Sequence, residues 1–87
     1  MSLPFSNSQN YKNITATTTV FTGTGGLHGI FVASASGTPT IKVSDNSNTI
    51  VNTFTPTGAS FYSIPARFNT SLVVTISGTV DCTVFWT

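Results

Sequence analysis

The chain has 87 residues, 6% of them charged, with a formal net charge of +1. The charged residues are Lys12, Lys42, Arg67, Asp45 and Asp81, with no glutamate, against roughly 25% charged residues in an ordinary soluble domain. So sparse a charge excludes the basic footprint that phosphate backbones require and the polybasic patch that holds proteins to anionic lipid, so neither nucleic acid nor membrane is an expected partner.

Residues 1–11 are polar, contain Pro4 and carry no period; they read as an N-terminal arm, and 12–87 as a single domain. The start, Met1-Ser2-Leu3-Pro4-Phe5-Ser6, has neither a basic nor an apolar leader segment, so no export signal is expected. From Lys12 the pattern alternates. Ile14, Ala16, Thr18 and Val20 fall on one face of an extended segment and Thr15, Thr17, Thr19 and Phe21 on the other, which predicts one strand. Gly23, Gly25 and Gly26 predict a turn, and the apolar run Leu27 to Ala33 a buried central strand. Ser36-Gly37-Thr38-Pro39 predicts another turn, followed by a short strand with Ile41 and Val43 on one face. Asp45-Asn46-Ser47-Asn48 is the strongest turn signal, because Asp and Asn bond their own backbone and tolerate left-handed conformations; it predicts a hairpin joining residues 40–44 to 49–55. After Pro56-Thr57-Gly58, Phe61 to Ile64 predicts a strand that Pro65 ends or confines to an edge. Leu72 to Ile76 predicts a strand, Ser77-Gly78-Thr79 a tight connection, and the alternation of Val80, Cys82, Val84 and Trp86 with Asp81, Thr83 and Phe85 a last strand.

About seven strands at regular spacing predict an all-β, antiparallel sandwich of jelly-roll or Greek-key type. Composition agrees: Thr, Val, Ile and seven Phe dominate, while helix formers are scarce. The single cysteine, Cys82, excludes an internal disulfide, so a small core must suffice alone or be completed by neighbouring copies. Neutral polar residues also provide little of the charge repulsion that keeps small proteins apart, so self-association is expected.

The titratable inventory is short, and the reading is non-enzymatic. Asp81 and Cys82 are strand neighbours and point to opposite faces, and a dyad of His28 with Cys82 would still need a group to orient the base. One Cys, one His and two Asp spread over the sequence do not make a zinc motif, and Asp45 to Asn48 lacks the glycine and glutamate of a helix–loop–helix calcium loop. No metal or cofactor is expected. Gly23 to Gly26 is followed by no lysine and opens no helix, so it is no phosphate cradle. Asn13-Ile14-Thr15 and Asn69-Thr70-Ser71 have the glycosylation form, as a chain rich in Asn, Thr and Ser produces by chance. The Thr15, Thr17, Thr19 row reads as a strand face rather than an ice-binding array. Tyr11, Tyr62 and Trp86, with Phe61, are the candidate stacking faces of a carbohydrate-binding module; the competing reading places Phe and Trp in the core and the tyrosines at a rim.

Several segments together resemble a group of small virion-associated proteins of tailed bacteriophages. They are Ile14 to Val20, the Thr24-Gly25-Gly26-Leu27-His28 turn entering Ile30-Phe31-Val32, Thr40 to Asn46, Leu72 to Gly78, and Asp81 to Val84. The resemblance covers most of the chain. It implies a β-sandwich that assembles on a capsid or tail, as decoration or fibre component, with a homotrimer favoured, host glycans as a further contact and no catalytic residues to carry over. The chain departs from the group in its aromatic content, at Phe21, Phe31, Phe54, Phe61, Phe68, Phe85 and Trp86, and in a shorter Asp45–Asn48 hairpin. The carbohydrate-binding module is the alternative reading.

Overall fold

The computed structural model describes residues 9–87. Of the expected arm, 1–8 lie outside the described residues, while Asn10 and Tyr11 are already strand. Among the described residues there are six strands, β1 (Asn10–Ile14), β2 (Thr18–Thr22), β3 (Gly25–Asp45), β4 (Asn48–Phe54), β5 (Ser60–Phe68) and β6 (Ser71–Trp86). All pairings are antiparallel, and no described residue is helical.

The long strands β3 and β6 pair along most of their length at the centre. On the far side of β6, β1 covers 82–86 and β2 covers 71–74; on the far side of β3, β5 covers 25–32 and β4 covers 41–45. Each half of the sheet is thus four strands wide, joined by a neck in which β3 and β6 pair only with each other. Thr, Val, Ile and aromatic side chains suit this pleated surface, one face of which is buried.

The count of six rather than seven has local causes. The expected first strand is broken at 15–17, where Thr17 Oγ1 donates to Ile76 O (3.2 Å) and accepts from Ile76 N (3.0 Å), substituting for a backbone rung. Two expected turns are absorbed into strands. Ser36 pairs Thr79 and the next pair is Thr40 with Ser77, so residues 37–39 bulge opposite Gly78 within continuous strands. Gly37 (φ 74) and Gly78 (φ 91) take up the left-handed backbone this requires.

The neck is sharply bent. Ile14 pairs Cys82 and Thr18 pairs Val74, so four steps of chain, at most about 14 Å, span eight steps of β6 that would measure about 26 Å if straight. Accordingly the two ends of β3 meet at one turn. Gly25 pairs Phe68, while the Asp45 side chain accepts from the amides of Asn69 (2.8 Å), Thr70 (2.9 Å) and Ser71 (3.1 Å). These bonds hold the carboxyl below its usual range, led by Asn69 and then Thr70, against the opposing effect of burial. The hairpin at Asp45–Asn48 forms as expected, with Asn46 in the left-handed region (φ 55).

Between the halves lies one apolar core. Ile30, Val32, Ile41, Val43, Phe68, Leu72, Val74, Cys82 and Val84 are wholly inaccessible to solvent. Pro65 sits, as expected, on an edge strand: among the described residues β5 pairs only with β3, and it has an extra residue between Ser63 and Ala66, opposite Gly29 and Leu27. Among the described residues no helix is long and apolar enough to cross a membrane.

Candidate functional site

The half-sheet β1-β6-β3-β5 turns one face inward and the other to solvent. Val84 and Trp86 point inward on β6, Ile30 and Val32 on β3, and Tyr62 on β5. Alternation therefore puts Phe85 and Thr83, Gly29 and Phe31, Phe61 and Ser63, and from β1 Tyr11 and Asn13, on the outer face. Register aligns them: Tyr11 opposes Phe85, Phe85 opposes Gly29, and Phe31 opposes Phe61. Four aromatic side chains from four strands thus form one band.

This band is open. Tyr11 is 72% exposed, Phe61 54% and Phe31 39%, with Phe85 half-buried among them. Gly29 makes the arrangement possible. A Cβ there would meet Phe61 Cζ and the Tyr62 carbonyl oxygen, each at 2.5 Å, so the Phe61 ring occupies the place a side chain would take. Phe61 then reaches Phe85 at a centroid distance of 6.4 Å and an interplanar angle of 57°. A contiguous exposed apolar area of this kind is a candidate interaction surface.

Two charges flank the band. Arg67, exposed, opposes Gly26 at one end, and Asp81, half-buried, opposes Ser34 at the other. Asn13 Nδ2 donates to Asp81 Oδ1 (2.7 Å) and to Cys82 O (3.0 Å), fixing the β1 edge beside it.

The candidate stacking residues do not share a face. Tyr11 lies in the outer band, whereas Tyr62 points inward, half-buried, with its hydroxyl accepting from Thr57 N (2.9 Å) and its ring 5.1 Å from Phe54. These hydrogen bonds, the Thr57 hydroxyl first and its amide second, hold the Tyr62 hydroxyl below its usual range. Trp86 is 8% exposed, against Phe21 at 6.1 Å, and its Nε1 is buried without a partner among the described residues. Tyr62 instead borders a groove of about 580 Å³ between β4 and β5, lined mainly by Ile50, Val51, Phe54 and Ile64. Of the stacking candidates named from sequence, Tyr11 and Phe61 belong to the band. Phe31 and Phe85 were missed, although their alternation with Ile30, Val32, Val84 and Trp86 carried the signal.

The titratable groups are dispersed. Cys82 is buried with Sγ 3.7 Å from Ile14 O, and burial first, then the Asp81 charge, pushes its thiol up to about 11. His28 Nε2 lies 2.8 Å from Thr87 Oγ1, four residues along β3 from Val32, the strand partner of Cys82, so the two do not meet. Asp45 is engaged by backbone amides, and among the described residues no three His, Cys, Asp or Glu gather to hold a metal. The threonine row does not persist: Thr15 lies at the strand break, Thr17 bonds Ile76 and Thr19 belongs to β2. Comparisons with protein families, curated proteins and solved structures give no match for this chain.

Proposed function

We propose that this chain is a non-enzymatic structural subunit that works by assembly, docking through the outer band of β1-β6-β3-β5 against a copy of itself, the assembled unit then docking on a larger shell through its remaining surface. The observation that carries the reading is the exposure of Tyr11, Phe31 and Phe61 in register across one sheet face. The fold we propose for the subunit is a sandwich, the bent neck folding one half-sheet over the other. Complete burial of side chains from both halves, and the meeting of both ends of β3 at 69–71, support it. The setting we propose, on the sequence resemblance alone, is a bacteriophage virion, as capsid decoration or as a fibre or tail component.

Assembly through the face is favoured over pairing of strand edges. β2 bulges at Val20, β4 carries extra residues against β3, β5 has a bulge with Pro65 and then Arg67, and β1 carries Lys12. Those are the devices by which edge strands are kept from pairing. The homotrimer expected from sequence relied partly on bare edges, and we propose a face-paired homo-oligomer in its place. A carbohydrate platform wants coplanar rings, and the 57° between Phe61 and Phe85 does not provide one. The test is size exclusion with light scattering on the wild type and on Phe61→Ser and Phe31→Ser. The proposal expects an oligomer that both substitutions reduce to monomer with unchanged circular dichroism; substituted proteins retaining the wild-type mass would overturn it.

A further inference from the structure

We infer that the outer band is self-complementary, and that two copies pack face to face about a two-fold axis with strand directions reversed, Arg67 of each copy meeting Asp81 of the other. The inference rests on the assembly reading above and specifies its partner and geometry.

The argument is positional. Along β3, Arg67 stands at the level of Gly26 and Asp81 at the level of Ser34, while the aromatic band occupies the levels of Gly29 and Phe31. The band is therefore centred between two opposite charges, about 20 Å apart along the strands at 3.3 Å per residue, counted on β6 from Asp81 to Thr87 because β3 bulges twice over the same span. Reversing a second copy about an axis through the band lays aromatic on aromatic and brings each guanidinium over a carboxylate. A parallel stacking would instead set like over like, so the charges select the antiparallel arrangement as well as permitting it. Both groups are available for this. Arg67 is exposed and, among the described residues, its Nε makes a single 3.4 Å contact, with Asn69 Oδ1, while Asp81 Oδ1 is held in place by Asn13. An isologous contact of this kind closes at two subunits, and the symmetry forms each ion pair twice.

The face is small. Four strands at about 4.8 Å spacing over about 20 Å of length would cover on the order of 400 Å² in projection, and all four run together only from the level of Leu27 to that of Val32, so the contact is small for a specific interface and a weak, concentration-dependent dimer is expected.

The test is charge reversal followed by mixing. Arg67→Asp and Asp81→Arg are each expected to weaken self-association about tenfold or more, because every ion pair becomes a repulsion. Mixing the two variants restores both pairs in a heterodimer, and native mass spectrometry at low salt is expected to show it at wild-type abundance while each homodimer is depleted. Circular dichroism of each variant, together with recovery in the mixture, separates this result from failure to fold. If the variants self-associate as well as the wild type, or the mixture shows no preference for the heterodimer, the antiparallel geometry is overturned. Should Phe61→Ser abolish association while charge reversal leaves it intact, docking through the band stands and the Arg67–Asp81 pairing falls.

Discussion

The bend in the neck rests on two glycines that share a backbone requirement and differ in surroundings, which makes a matched pair of substitutions informative. Gly37 and Gly78 have φ of 74° and 91°. At Gly37 an added Cβ meets nothing within 4 Å; at Gly78 it would stand 2.9 Å from Pro39 Cα and 3.1 Å from Pro39 Cβ. Gly37→Ala therefore incurs only the left-handed backbone term, about 1–2 kcal/mol. Gly78→Ala incurs that term and an overpacking term of about 1–3 kcal/mol, because the obstruction is backbone of a buried proline and cannot swing away. The gain from stiffening the unfolded chain is common to both and cancels in the difference. We expect Gly78→Ala to cost about 2–5 kcal/mol, from a total stability of about 4–13 kcal/mol for a chain of this length. Urea denaturation followed by tryptophan fluorescence reads both values on one scale. Equal losses within about 0.5 kcal/mol, or a larger loss at Gly37, would refute the packing of the neck described above.

Two further outcomes follow from the buried polar groups. Asp45 joins the end of β3 to the β5–β6 turn, and its folded carboxyl lies below the ordinary value of 3.8, so its contribution is fully present above that value and is lost as pH falls through the folded value. Asp45→Asn is expected to lower the urea midpoint at neutral pH and to flatten the acid limb of the stability curve; an acid limb unchanged by the substitution would contradict the role. Cys82, pushed from 9.0 up to about 11, destabilises the fold only where the unfolded thiol ionises, so stability is retained below pH 9 and falls as pH rises toward the folded value. Iodoacetamide at about pH 8 is expected to leave the native thiol untouched and to label it in urea, and rapid native labelling would show that the core opens at β1.

Much of the fold was legible from local pattern. The period of two marked nearly every strand, and Asp45 to Asn48 identified its hairpin, because strand alternation and Asx turn chemistry are properties of a few adjacent residues. Gly37 and Gly78 were read as turns, since a glycine that lets a strand bulge and bend has the same sequence signature as one that ends it. The break at 15–17 was invisible because it depends on the Thr17 hydroxyl finding Ile76, fifty-nine residues away. The site was partly legible. Tyr11 and Phe61 were picked out as surface aromatics, but Trp86 and Tyr62 were grouped with them because residue type does not reveal which side of a folded sheet is closed. The charges flanking the band could not be seen at all, because strand register alone sets Arg67 and Asp81 at opposite ends of one face.

The most direct measurement is sedimentation equilibrium of the wild-type chain from about 1 to about 300 µM, a range wide enough to read a weak self-association. A mass rising with concentration from 9.1 kDa to a plateau at twice that value is the predicted result, and the same curve for Phe61→Ser stays at the monomer. A constant 9.1 kDa across the range would contradict assembly through the aromatic band.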